Sequence, residues 1–181
     1  MLHSALRFLS ALALVAAVFS ASYLAAGKPR RVPVEKLLVT VAQDSATVCS
    51  AAGPCLDRGA DYTLLVFFSP GDCPPCLYDT VVLEDLYTET SRERLNVIGI
   101  AYGLTVAEAR KFAAASGITY PLNTAPAVLE RHVRNPRPQG SVRPVKVLLD
   151  GEGRTVGSWG SRLTVAAHAE DKEEILALVG R

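Results

Sequence analysis

Leu64-Leu65-Val66-Phe67-Phe68-Ser69-Pro70-Gly71-Asp72-Cys73-Pro74-Pro75-Cys76 is the stretch on which the fold turns. Thr63 to Phe68 is a continuous apolar run, the pattern of a strand buried on both faces. Ser69-Pro70-Gly71-Asp72 is turn chemistry. A helix is expected to start around Cys73, because Val82, Leu83, Leu86 and Tyr87 recur at helical spacing. Two cysteines separated by two residues suit dithiol chemistry or metal binding equally well, so spacing alone does not choose. The strand–turn–helix setting favours redox work. A cysteine at a helix N-terminus meets free N–H groups and the positive end of the dipole.

Outward from this stretch the periodicity stays regular. Asn96 to Ala101 reads as a second buried strand, and Thr105-Val106-Ala107-Glu108 is a capping box opening a helix that Gly117 closes. Tyr120-Pro121-Leu122 reads as extended, and Ala127 to Val133 as a further helix. Val145 to Leu149 and Thr155 to Trp159 read as strands joined by the turn Asp150-Gly151-Glu152-Gly153. A last helix is expected from near Glu170 to Gly180. Strands joined by helices imply parallel pairing, and the final hairpin adds antiparallel strands. The fold class is therefore α/β, a mixed central sheet flanked by helices in a single domain, with an N-terminal signal or anchor segment ahead of it.

The chain has 181 residues, 49% hydrophobic and 20% charged, enough for one ordinary domain with a real core. A net charge of +1 and the lack of a basic cluster interleaved with aromatics give no reason to expect nucleic acid. Residues 1–27 differ from the rest. Phe8 to Gly27 carries no charge and is followed by Lys28, Arg30 and Arg31, and Ser20-Ala21-Ser22 offers small residues at signal-peptidase spacing. Both a cleaved signal peptide and a membrane anchor through residues 8–27 fit. The basic residues after the apolar run oppose the positive-inside rule. Residues 28–60 read as a linker and N-terminal extension, with a weak extended signal around Val39, Val41 and Ala42, and residues 61–181 as the folded domain. An even set of four cysteines, at 49, 55, 73 and 76, agrees with an extracytoplasmic location.

With these residues in view, the chain resembles the thioredoxin-like superfamily, and within it the membrane-anchored TlpA/ResA-like thiol–disulfide oxidoreductases. The carriers are LLVFFSPGDCPPC, the Tyr120-Pro121 pair, and RPVKVLLDGEGRTV at 143–156. The resemblance spans roughly Asp61 to Arg181 and implies a thioredoxin-like fold. It would make Pro144 the cis-proline facing the redox pair, presenting the backbone of Arg143 to a substrate strand. It implies a carboxylate three residues after the second cysteine, a position that Asp79 fills. Three departures stand out. Asp72 replaces the usual tryptophan before the first cysteine, Arg143 replaces a small or apolar residue, and Phe67 replaces the buried acid of thioredoxin itself.

The chemistry expected is dithiol exchange that reduces disulfides of client proteins, with no cofactor and no metal. The partners are a disulfide-containing client and a membrane or extracytoplasmic electron donor. Cys73 is the expected nucleophile and Cys76 the resolving thiol. Pro74 and Pro75 have no N–H to offer a Cys73 thiolate, and Asp72 adds a like charge; both favour a reducing centre. Arg143 acts in the opposite sense. Asp79 is either a general base for Cys76 or a solvated helix carboxylate. Cys49 and Cys55 suit a structural disulfide, with a second redox pair as the sharper reading; C-x5-C is off the usual zinc spacing. His3, His132 and His168 show no partner spacing, and Trp159 with its neighbouring glycines reads as strand-end packing. Two alternatives stay open. One is a peroxiredoxin-like peroxidase, although Pro70 stands where that chemistry wants Thr or Ser. The other is a non-catalytic metal carrier or binding module.

Overall fold

The computed structural model describes residues 47–48, 59–71, 74–124, 145–160 and 164–180, with the side chains of 74–76 outside the description. Six strands and three helices follow one another along these segments. They are β1 (Thr47–Val48), β2 (Tyr62–Phe68), α1 (Pro74–Glu89), β3 (Leu95–Ala101), α2 (Val106–Ser116), β4 (Leu122–Asn123), β5 (Val145–Asp150), β6 (Thr155–Gly160) and α3 (Val165–Val179). The strands form one sheet in the order β1-β4-β3-β2-β5-β6. β2 lies parallel to β3 and β3 to β4, whereas β5 is antiparallel to β2 and β6 to β5. The mixed α/β sheet expected from the sequence is the one observed.

β2 is central because both its faces are apolar. Leu64, Val66 and Phe68 join a cluster with Leu83, Leu86 and Tyr87 of α1, Ala109 of α2, and Ile175 and Val179 of α3. Leu65 and Phe67 point to the opposite face and pack with Ile98, Ile100, Val145, Val147 and Leu149. Burying each such side chain contributes roughly 1.5–3 kcal/mol. Gly99 lets β4 approach β3: its N–H donates to the Pro121 carbonyl at 2.9 Å, and a Cβ there would lie 2.5 Å from Leu122 Cδ2.

Local chemistry sets the helix ends. In α2, Thr105 and Glu108 form the expected capping box, and Gly117 closes the helix with φ 69°. α3 corrects the sequence expectation. It starts at Val165 and not near Glu170, because the Thr164 hydroxyl accepts from the Ala167 N–H and caps it. The alanine-rich turn that follows is good helix sequence. The short strand β1 was not anticipated; its two residues pair with β4. The helix expected over 127–133 and the extended signal near Val39 lie outside the described residues. Among the described residues no helix is long and apolar enough to cross a membrane, and residues 1–27 are not among them.

Two features of this topology place the site. α1 follows β2 directly, and β5 opens at the same end of the sheet, since Val145 pairs with Phe67. Lys146, the next residue of β5, pairs with Val66 and so shares the face of the sheet that α1 and α3 cover.

Candidate functional site

Residues Pro74 and Pro75 open α1, where a missing N–H costs nothing, since the first N–H groups of a helix have no partner within it. Cys76 is the third helical residue and Asp79 the sixth, which puts the two positions one turn apart on one face. Asp79 is not a solvated carboxylate. It is 1% exposed and projects from α1 toward the sheet.

Three further side chains converge on it. The Lys146 ammonium from β5 lies 2.7 Å from Asp79 Oδ1 and 2.8 Å from Asp171 Oδ2. His168 Nδ1 from α3 lies 2.9 Å from Asp79 Oδ1 and 3.3 Å from Lys146 Nζ. All four residues are at most 2% exposed. His168 and Asp171 reach the same point because they sit three residues apart on α3.

The cluster is charge-paired but incompletely hydrogen-bonded. Lys146 donates a well-formed hydrogen bond to Asp171. Lys146 also forms an ion pair with Asp79 Oδ1, beside which His168 Nδ1 stands, so the Asp79 oxygen left without a hydrogen-bond partner is Oδ2. His168 Nε2 is also buried without a partner. The Tyr120 phenol, between α2 and β4, is fully buried with no hydrogen bond. Burial, and then the charges of Asp79 and Glu84, push its ionisation well above the ordinary 10.0. Buried acceptors without donors are rare in folded proteins, and a reactive role is one of the few reasons to keep them.

Of the expected redox residues, Asp79 is the one whose side chain is described. Cys73, Arg143, Pro144, Cys49 and Cys55 lie outside the described residues, as does the side chain of Cys76. Lys146, His168 and Asp171 were not anticipated. One signal was present in the sequence: a lysine between Val145 and Val147, inside an otherwise apolar run. His168 was hidden because the last helix was expected to begin after it. Trp159 does pack at a strand end, over Gly157, and its Nε1–H donates to Glu174. Among the described residues no group of His, Cys, Asp and Glu is arranged to hold a metal ion, and at the buried cluster a lysine ammonium occupies the centre.

A parallel strand leading into α1, an antiparallel hairpin, and a closing helix over the same face can be compared with known folds. No family model matches the chain, and no curated protein matches its sequence. Solved structures do match its backbone. A cysteine-to-serine mutant of Xylella fastidiosa PrxQ superposes with a TM-score of 0.58 at 16% identity, covering 76% of this chain and 91% of that one. A secreted Mycobacterium tuberculosis disulfide oxidoreductase homologous to E. coli DsbE gives 0.53 at 16%, covering 72% and 94%. A thiol:disulfide interchange protein of the thioredoxin family from Chlorobium tepidum TLS gives 0.51 at 19%, covering 64% and 79%.

The chain has a thioredoxin-like fold. At such identities the likeness carries the fold and leaves the chemistry to the residues.

Proposed function

We propose that the protein is an extracytoplasmic thiol–disulfide oxidoreductase of TlpA/ResA-like type that reduces disulfides of client proteins. The observation that carries this reading is the buried Asp79 carboxylate. It stands one helical turn after Cys76, is 1% exposed, and its Oδ2 has no hydrogen-bond partner. A resolving thiol needs a base within reach, and a desolvated carboxylate with open lone pairs suits that task.

The exchange runs in two displacements. The Cys73 thiolate attacks one sulfur of the client disulfide, forms a mixed disulfide and expels a client thiolate. Cys76 then gives its proton to Asp79 and attacks the Cys73 sulfur. The Cys73–Cys76 bond forms, the mixed disulfide breaks, and the second client sulfur leaves with the electron pair. Two electrons have passed to the client, and an external dithiol donor restores the Cys73–Cys76 pair. Pro144 and Arg143 would border the client strand, since β5 opens where β2 closes. Residues 8–27 would hold the protein at a membrane or direct its export, and a Cys49–Cys55 disulfide would brace the segment ahead of β2.

The test is a redox titration of the full chain against dithiothreitol, with the Cys73 and Cys76 thiols counted by alkylation and mass. A two-electron dithiol/disulfide couple is expected at a reducing or near-neutral potential. A potential near about −120 mV, that of the strong periplasmic oxidants, would overturn the reductase assignment. Cysteines that never cycle would overturn the whole reading. The PrxQ likeness makes a peroxide-reduction assay the natural companion measurement, with no turnover expected, since Pro70 stands three residues before Cys73 where a peroxidatic site uses Thr or Ser.

A further inference from the structure

The outer face of α1 changes character along its length. Leu77, Tyr78 and Val81 are 43%, 41% and 49% exposed, three of the five large apolar side chains left open among the described residues. They recur at helical spacing, so they form one stripe over the first two turns, starting at the residue after Cys76. Single exposed apolar residues are ordinary, whereas a contiguous stripe beside the redox motif marks a contact surface. One turn beyond Val81 the same stripe meets Asp85, which is exposed. The other carboxylates of the helix are engaged: Asp79 by Lys146, Glu84 by the Thr119 N–H and hydroxyl, and Glu89 by Lys172. Among the described residues nothing pairs with the Asp85 carboxylate.

We propose that this stripe docks the client polypeptide and selects a segment with an apolar side chain next to its half-cystine and a lysine or arginine about four residues away. The proposal rests on the dithiol reading above and names the substrate class that reading leaves open. An uncharged stripe is stabilised when apolar side chains cover it, since both surfaces leave water. The spacing of the client's cation comes from the helix itself. Cys76 to Asp85 spans about 13 Å along the axis, which an extended client covers in about four residues. The cation then reaches a carboxylate that no described group holds, while the apolar side chain covers Leu77, Tyr78 and Val81. Two copies meeting through this stripe would bring no cation to Asp85, since residues 77–89 contain no lysine or arginine. An anionic lipid surface would be repelled by the same carboxylate.

Two measurements on the full chain test this. The first uses short peptides whose single cysteine is capped as a mixed disulfide with a coloured aromatic thiol. One peptide carries leucine beside the cysteine and lysine about four residues on. A second has glutamate in place of the lysine, and a third has serine in place of the leucine. Each reduction rate is divided by the rate with hydroxyethyl disulfide, so that damage to the dithiol itself cancels. In the wild type the leucine–lysine peptide is expected to lead. Leu77→Gln, Tyr78→Gln and Val81→Gln together should lower its ratio about tenfold, the order that losing the apolar contact of one side chain gives. Asp85→Lys should turn the lysine preference, about threefold in low salt, into a glutamate preference. A ratio unchanged in the triple variant would overturn the proposal, as would a lysine preference absent from the wild type or untouched by Asp85→Lys. A wild type that reduces neither the peptides nor hydroxyethyl disulfide would overturn the dithiol reading itself, a distinguishable result. The second measurement needs neither a variant nor redox chemistry. Amide NMR of the wild type, titrated with the leucine–lysine peptide carrying serine for cysteine, should shift residues 77–85 of α1. Shifts confined to other elements would overturn the docking face. A concentration-dependent dimer in sedimentation that the triple variant abolishes would give the face to a second copy and overturn it equally.

Discussion

Replacing Lys146 by methionine removes the cation at the centre of the buried cluster while nearly preserving volume. The ammonium stands 2.7 Å from one carboxylate and 2.8 Å from another, each about 1% exposed. Breaking a buried pair by removing one partner costs about 3–5 kcal/mol, because the abandoned charge stays desolvated. Two carboxylates are abandoned here, so Lys146→Met is expected to lose at least about 4 kcal/mol, a large share of a typical total of about 5–15. With a urea slope of about 2 kcal/mol/M, the unfolding midpoint should fall by about 2 M. The triple variant Lys146→Met, Asp79→Asn, Asp171→Asn buries no net charge, and most of the loss should return. Equilibrium urea unfolding of the three proteins, followed by circular dichroism at pH 7, makes the comparison. A loss below about 1 kcal/mol in the single variant would refute the reasoning, because that is the size of an exposed pair.

Two further outcomes test other parts of the fold. Gly99→Ala would place a Cβ 2.5 Å from Leu122 Cδ2 and 3.0 Å from Tyr120 Cε2, both in side chains at most 2% exposed. Overpacking of this kind costs about 1–3 kcal/mol, so a drop of several degrees in melting temperature is expected, and an unchanged value would show that β4 moves freely. In the β5–β6 turn, burial pushes the Asp150 carboxyl up. Hydrogen bonds from the Arg154 backbone and side chain, the Arg154 charge and the Glu152 N–H outweigh it and hold the group below 3.8. Its stabilisation is therefore present above 3.8 and lost as pH falls through the lower folded value. The stability gap between wild type and Asp150→Asn, measured by thermal melts, should be constant near neutrality and close in that acid window; a gap that persists at the lowest pH would contradict it.

The central strand and the helix that follows it were legible in the sequence because their signals are local. An unbroken apolar run, turn residues and a C-x-x-C at a helix start depend on neighbours a few positions away. The same holds for the Thr105–Glu108 capping box and for the strands on either side of Asp150-Gly151-Glu152-Gly153. The relative strand directions followed from those elements, since a helical crossover favours parallel strands and a short turn demands antiparallel ones.

The buried cluster is of another kind. Asp79 is the same residue in sequence whether it faces water or a lysine, so its burial could not be chosen without knowing what covers α1. Lys146 and Asp171 are 25 positions apart, and Asp79 and His168 lie on separate helices. They meet because β5 places Lys146 opposite Val66, on the face over which α1 and α3 pack. Neighbouring residues were enough to place the buried strand, the turn after it and Cys76 in the opening turn of the helix. Packing across the sheet was needed to show that a desolvated carboxylate paired with Lys146 lies one turn further along the same helix, because desolvation is a property of the packed face and not of the chain.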